Sequence, residues 1–247
     1  MSDARWQLIK PVLATWRARH QAAAPGFGRR PEHDLRAVMN AIVYVDRTGI
    51  AWRYLPHDYP PWQTVYWHFV RWEEQGVTRR MLEVLRRRLY QELHREHDPS
   101  AAVMGSQSVK GANAVGSATR SYDNDKKING RKRFVLTDTL APLLAVMVRP
   151  AGVQDRDGAT AMLLGLHPMR RCRMVFVGTG FTGRLVTWAS KVLGIVVHIV
   201  GKPPGQRGFQ VHPRQWVVEH TLAWLLIRRR LARDHERHPE TTEALIR

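Results

Sequence analysis

The chain has 247 residues, of which 44% are hydrophobic and 24% charged, which excludes wholesale disorder and fits one large or two small folded domains. No apolar run approaches the roughly 18 residues of a membrane span, and the opening residues lack the continuous apolar stretch of a signal peptide. The 39 lysines and arginines outnumber the 21 aspartates and glutamates, and the net charge of +18 favours a polyanionic partner.

The first hundred residues are predicted to be helical. Apolar residues recur at helical spacing from Leu35 to Val43, and Gly49 ends the run. The stretch 51–62 contains three prolines and cannot be helical throughout, after which Thr64 is predicted to cap a second helix. Two helices around a rigid turn suggest a helix-turn-helix-like unit.

A third helix is predicted to start at Thr78. Its inward side is predicted from four apolar residues at helical spacing: Met81, Leu82, Leu85 and Leu89. Its outward side is predicted to be basic, with Arg79, Arg80, Arg86, Arg87 and Arg88. Two interpretations of these arginines stay open, a solvated helix face and a set of DNA phosphate contacts.

The pattern changes near Asp98, where β-branched residues become frequent. Five strands are predicted, at 101–104, 134–139, 143–148, 174–177 and 195–200. Three helices are predicted, at 158–166, 185–193 and 216–232. The order β-β-β-α-β-α-β-α predicts an α/β fold with an RNase H-like mixed sheet flanked by helices, at 99–247, preceded by a small all-α domain at 1–98.

Residues 111–131 are rich in Gly, Ser, Asn, Asp and Lys and are predicted to form a loop between the first two strands. Its basic tips are predicted to be Lys126, Lys127, Arg131, Lys132 and Arg133.

Glycines at Gly178, Gly180 and Gly183 match the dinucleotide-binding pattern G-x-G-x-x-G between a predicted strand and helix. The acid that should bind a ribose about 20 residues later is missing from 196–204. The preferred interpretation is therefore a glycine-rich turn, with a nucleotide-cofactor enzyme as an alternative.

Other residues have simpler interpretations. Trp216 and Trp224 are eight residues apart on one helix face and are predicted to be core residues rather than base-stacking platforms. The single cysteine, Cys172, excludes an internal disulfide and is interpreted as packing. The twelve histidines show no compact ligand spacing, so no zinc site is predicted.

An ordered set of short motifs spans nearly the whole chain: DRTGIAWRYLP at 46–56, PPW at 60–62, VYWHF at 65–69, SQSVK at 106–110, GRKR at 130–133, TDT at 137–139, VQDRDG at 153–158, GKPP at 201–204, GFQ at 208–210 and WVVE at 216–219. Together they resemble the bacterial insertion-sequence transposases of the insertion sequence five family. The family's chain extends a little farther than Arg247, so the resemblance implies a shortened final helix here.

The resemblance implies a DDE site, in which two Asp and one Glu on an RNase H-like sheet hold Mg²⁺ for DNA strand cleavage and transfer. Gly105 and Gly178 stand at the positions of the two family Asp residues, and Glu219 stands at the position of the Glu. We therefore expect Glu219 to be vestigial and Mg²⁺ not to be held stably. Three acids, Asp138, Asp155 and Asp157, are candidates to replace the missing ligands.

The leading hypothesis is a transposase-derived DNA-binding protein of the cytoplasm and nucleoid that has lost strand transfer. Its partner is predicted to be double-stranded DNA, in particular inverted-repeat ends, and it is predicted to act as a homodimer or with an active relative. Candidate DNA contacts are Arg79, Arg80, Arg86, Lys126, Lys127, Arg131, Lys132, Arg133, Arg214, Arg228 and Arg229. The alternatives are an active Mg²⁺-dependent transposase with substitute acids and a nonfunctional relic.

Overall fold

The structure is a computed structural model that describes residues 1–22, 33–166, 169, 171–201, 205 and 211–247. Four helices come first: α1 (Asp3–Ala22), α2 (Leu35–Thr48), α3 (Trp62–Glu74) and α4 (Val77–Glu92). The predicted helices of this region are confirmed. The motif residues 202–204 and 208–210 lie outside the described part of the chain.

Local chemistry sets the bounds of these helices. The Asp34 side chain accepts a hydrogen bond from the Arg36 backbone N–H and starts α2, while Gly49, at φ 74°, ends it. The prediction that Thr64 caps α3 is wrong, because α3 begins at Trp62, directly after Pro61. Prolines before the helix fix the chain direction there and leave Thr64 inside the first turn.

The predicted inward face of α4 is wrong in its second half, whereas Met81 packs against the apolar cluster of the amino-terminal helices as predicted. Leu85 and Leu89 are exposed, and the buried residues of this helix are Val77, Thr78, Arg86 and Tyr90. The Tyr90 hydroxyl donates a hydrogen bond of 2.7 Å to Asp138, which anchors this face of α4. Arg86 therefore belongs to the interior and is withdrawn as a DNA contact.

Six strands form one sheet: β1 (Ala101–Lys110), β2 (Ser121–Asp123), β3 (Ile128–Asp138), β4 (Leu143–Pro150), β5 (Met174–Gly178) and β6 (Val196–Val200). The main order is β4-β3-β1-β5-β6, in which β1, β3 and β4 are antiparallel and β1, β5 and β6 are parallel. An antiparallel meander extended by two parallel strands is the predicted RNase H-like arrangement, which is confirmed.

Helices cover both faces of the sheet. The first face packs against α5 (Asp155–Leu166) and α6 (Arg184–Trp188), the latter extended by a π-helical turn at Ala189–Leu193. The second face packs against α7 (Pro213–Ile227) and α8 (Arg229–Ala232). The helix predicted at 216–232 is interrupted at Arg228, whose backbone is extended.

The prediction of a loop with basic tips at residues 131–133 is wrong. These residues lie within the long strand β3, where Arg131, Lys132 and Arg133 are all buried. The turn before β3 is shorter than predicted. Of the five predicted basic tip residues, only Lys126 and Lys127 are exposed. Local composition did not reveal this because Arg131 and Lys132 are paired with acids from other segments of the chain.

The final helix, α9 (Pro239–Ile246), joins the two parts of the molecule. Ala244 belongs to the same apolar cluster as Trp6, Val38 and Trp72 of the amino-terminal helices. Arg247 forms an ion pair of 2.7 Å with Glu73 of α3. The apolar cluster of the amino-terminal helices therefore includes residues from both sides of the predicted boundary at residue 98.

Over the described ranges, we find no helix with both the length and the apolarity of a membrane span.

Candidate DDE-type site

Two glycines lie next to each other on the central strands. The parallel pairing of β1 and β5 places Met104 beside Val177, so Gly105 and Gly178 follow side by side. Gly105 lies within β1, opposite Val135 of β3, and Gly178 is the last residue of β5. The site is thus at the carboxyl end of β5, beside the middle of β1.

Helix α7 covers both glycines. A Cβ atom on Gly105 would lie 3.0 Å from both methyl carbons of Val218, which is closer than an ordinary van der Waals contact. A Cβ atom on Gly178 would lie 3.5 Å from the Gln215 amide nitrogen, an ordinary contact. The α7 side chains therefore crowd a side chain at Gly105 and leave room for one at Gly178.

Glu219 is the residue after Val218 on α7 and is exposed. Helix α7 crosses the sheet over both glycines, so Glu219 lies on the helix that covers the other two positions predicted from the sequence. One of these three positions carries a carboxylate. Gln215 and Val218, which lie over the glycines, were not predicted as site residues because neither side chain carries a carboxylate, although Val218 belongs to the WVVE motif.

The side chains present do not fit Mg²⁺. This ion prefers octahedral coordination by hard oxygens and is usually anchored by at least one or two carboxylates. Within the described residues, no three His, Cys, Asp or Glu side chains come together in a group that could hold a metal ion. Gly105 and Gly178 offer no side-chain oxygen, and the apolar methyl groups of Val218 lie over one of them.

Asp138 is not a substitute ligand. It pairs with Ala102 on β1, and because side chains alternate along a strand, Asp138 and Gly105 face opposite sides of the sheet. Its carboxylate is buried, accepts the hydrogen bond from Tyr90 and lies 3.6 Å from the Arg95 guanidinium. Asp138 therefore links α4 to the sheet.

Asp155 is closer to the glycines but also lies on the other side of the sheet. It accepts a hydrogen bond of 2.8 Å from the Ser106 hydroxyl and forms an ion pair of 3.2 Å with Lys132. Ser106 follows Gly105 and points away from α7. Asp157, at the first turn of α5, is exposed and borders a surface pocket with Arg156 and Arg184. The structure supplies no acid that replaces a missing ligand.

The glycine pattern after β5 is a turn. Gly178 is followed by a 3₁₀ turn at Thr179–Phe181, and Gly183 adopts φ 104° before the five-residue helix α6. A Cβ atom on Gly180 would lie 2.8 Å from a carboxylate oxygen of Asp155, so glycine allows this close approach. A negative charge at this turn also disfavours the pyrophosphate of a dinucleotide.

The remaining candidate cations differ in their surroundings. Seven of them are exposed: Arg79, Arg80, Lys126, Lys127, Arg214, Arg228 and Arg229. Arg214, at the start of α7, lies over the ring of Phe176 at 4.7 Å, a cation–π contact. Arg131 and Lys132 are paired with acids inside the protein, so these two, with Arg133, are withdrawn as DNA contacts.

Arg228 is half exposed and lies 3.6 Å from Asp46 of α2. Burial raises the pKa of the Asp46 carboxyl to about 6, against the opposing effect of Arg228 and Arg47. One oxygen of this carboxylate is buried without a hydrogen-bond partner in the described structure. Asp46 thus connects α2 to the break between α7 and α8, although removing its charged carboxylate from water is unfavourable.

A pH dependence of stability follows from Asp46. Its pKa is higher in the folded than in the unfolded protein, so stability falls as the pH rises from about 4 to about 6. We expect Asp46→Asn to raise the free energy of unfolding at pH 7 by up to about 3 kcal/mol, since the pKa is raised from 3.8 to about 6 and one pKa unit corresponds to about 1.4 kcal/mol. Urea titrations across this range test the expectation. An equal pH dependence in the variant would contradict it.

The prediction that Trp216 and Trp224 are core residues is wrong. Their side chains are 42% and 59% exposed, on the side of α7 that faces away from the sheet. The inward side of α7 is formed by Gln215, Val218 and Leu222. Helical spacing correctly placed both tryptophans on one face but could not tell which face is buried.

Two family models match this chain. The family model described as "Transposase DDE domain" matches residues 96–247, and the model described as "Putative transposase of IS4/5 family" matches residues 1–82. A putative transposase for insertion sequence element IS402 of Burkholderia cepacia is 29% identical over 131 residues, which are 50% of this chain and 62% of that protein. The chain thus matches less than two thirds of the length of this relative.

Among solved structures, the catalytic core domain of BIV integrase is similar at 14% identity and a TM-score of 0.30, covering 60% of this chain and 81% of that one. The family assignment rests on the sequence matches, of which the DDE domain alone covers more than half of the chain. The chain belongs to the DDE transposases of insertion sequences.

Proposed function

We propose that this protein binds DNA and lacks metal-dependent strand cleavage and transfer. The observation that carries the proposal is the pair of glycines at the two Asp positions, with Val218 and Gln215 of α7 packed over them. A phosphodiester reaction of this family needs metal ions to activate the attacking oxygen and stabilise the leaving oxygen. Among the residues that the structure describes, the remaining carboxylate, Glu219, has no group of acids beside it with which to share an ion.

Charge supports DNA as the partner. The chain carries a net charge of +18, and its exposed cations can neutralise backbone phosphates. We propose that the helical part, residues 1–98, recognises double-stranded inverted-repeat ends and that the RNase H-like part, residues 99–247, contacts the backbone. Assembly as a homodimer or with an active relative, and a location on the nucleoid in the cytoplasm, belong to the same proposal.

The salt dependence of binding tests the proposal. Seven exposed candidate cations should give a slope of about −6 in a plot of log affinity against log salt, at about −0.9 per phosphate contact on duplex DNA. Fluorescence anisotropy of a labelled duplex measures it, and Lys126→Ser with Lys127→Ser should make the slope shallower by about 2. Glu219→Gln serves as the matched control and should leave the slope unchanged. A flat salt response would remove DNA as the main partner.

A nicking assay separates this proposal from an active transposase. Supercoiled DNA carrying the inverted repeats should remain intact with this protein in Mg²⁺ or Mn²⁺. Nicking that disappears in Glu219→Gln would show that the metal chemistry survives. A relic would instead bind every DNA weakly and without preference.

A further inference from the structure

The outward side of α7 is unusual for a surface helix. It carries Trp216, His220 and Trp224, which we call the aromatic strip, and next to the strip lies Ile227; Trp224 and Ile227 are 59% and 72% exposed. The inward side of the same helix, including Val218, packs on the sheet. A helix that is apolar on both sides is normally buried on both sides, so the strip is a contact surface.

The rings of the strip follow one another along the helix. The Trp216 and His220 rings are stacked, with centroids 5.5 Å apart and planes 12° from parallel, and the His220 and Trp224 rings are 4.5 Å apart. Trp216 and Trp224 are eight residues apart, which is about 12 Å of helix. The strip therefore presents aromatic surface over a distance of several nucleotide bases.

The charges around the strip select the partner. Arg214 lies before it, and Arg228 and Arg229 lie after it, while Glu219 is the one acid in the α7 sequence. Cations at both ends of an aromatic surface match a chain of bases joined by phosphates. A second copy of this protein would instead bring its own net charge of +18.

We propose that the aromatic strip stacks on unpaired bases of DNA, so that α7 binds single-stranded or locally opened segments. Bases in a duplex stack on each other and hide their faces, whereas unpaired bases expose a face to any ring. This inference rests on the proposed DNA-binding function and adds the state of the DNA that this helix takes. Helix α7 thus keeps a DNA-binding surface although the site beneath it lacks two carboxylates.

The test compares two DNAs and three variants of the full chain. Anisotropy of a labelled short oligothymidylate and of a duplex of equal length gives the two affinities. We expect Trp216→Ala with Trp224→Ala to weaken single-strand binding roughly tenfold or more and to change duplex binding little. Trp216→Phe with Trp224→Phe keeps the rings and should bind nearly as the parent does. Ile227→Ala removes exposed apolar surface without a ring and should have no effect.

The outcomes separate the two proposals. Equal loss with Ile227→Ala, or no loss with the double alanine variant, would overturn the stacking role while duplex binding remained. Conversion from dimer to monomer by the double alanine variant in sedimentation, with both DNA affinities unchanged, would assign the strip to self-association. If the parent protein bound neither DNA, the proposed function itself would be wrong. Unchanged thermal unfolding of the variants confirms that they fold.

Discussion

Replacing Arg131 by methionine is expected to lower the free energy of unfolding by about 3–5 kcal/mol, because it leaves a buried carboxylate without its cation. The Arg131 guanidinium is 0% exposed and lies 3.1 Å from Asp234, whose side chain is also 0% exposed. It donates further hydrogen bonds to the backbone carbonyls of Thr119, Glu236 and Arg237. One side chain thus ties the β1–β3 connection to the segment between α8 and α9.

Arg133→Met is the matched control for this variant. Arg133 lies two residues further on the same strand and is equally buried, but its three guanidinium nitrogens have no hydrogen-bond partner within the described structure. Burial lowers its pKa to about 10, so it is still charged at neutral pH. Since an unpaired buried charge is unfavourable, we expect Arg133→Met to be neutral or stabilising.

Urea unfolding followed by circular dichroism measures both variants. A similar large loss in Arg133→Met would mean that the strand tolerates neither substitution for reasons of packing. The difference between the variants, rather than either value alone, reports the contribution of the hydrogen bonds and ion pair of Arg131.

Restoring the two missing carboxylates is expected to restore metal-dependent chemistry. We expect Gly105→Asp with Gly178→Asp to bind Mn²⁺ and to nick DNA carrying the inverted repeats at least roughly a hundredfold faster than the parent, since metal assistance contributes several kcal/mol. At Gly178 the new side chain has room, and the Gln215 amide can donate to it. At Gly105 it meets Val218 at 3.0 Å.

The close contact between a side chain at Gly105 and Val218 leads to a further prediction. Adding Val218→Ala to the double variant removes both methyl carbons near the new Cβ and should increase metal binding further. Val218→Ala alone should bind no metal.

Calorimetric titration with Mn²⁺ and a nicking assay provide two independent measurements. The matched control is Gly105→Asn with Gly178→Asn, which has nearly the same size and no negative charge and should remain inactive. Glu219→Gln in the restored protein should abolish nicking. Metal binding without nicking would show that the carboxylates meet but that α7 no longer holds the third ligand in place. Failure to bind metal would show that the site cannot be rebuilt by these substitutions.

Most of the order of the elements could be read from the sequence because most strands and helices have their own local signal, whereas α1, β2 and α9 were not predicted. β-branched runs marked β1, β3, β4, β5 and β6, and helical spacing with Gly49 marked α2 and its end. The ordered motifs identified the family and predicted that Gly105, Gly178 and Glu219 lie together. These features depend on residues close in sequence or on a pattern shared with relatives.

The tertiary structure alone decided which side of each element faces inward and which cations are exposed. Arg86 and Arg133 look like exposed basic residues in the sequence, and Trp216 and Trp224 look like core residues, yet their burial is the reverse. The physical reason is that a helix or strand pattern fixes relative directions, while burial depends on what packs against each side. Asp234 for Arg131, and Val218 over Gly105, are partners more than 100 residues away, and only the folded chain brings them together.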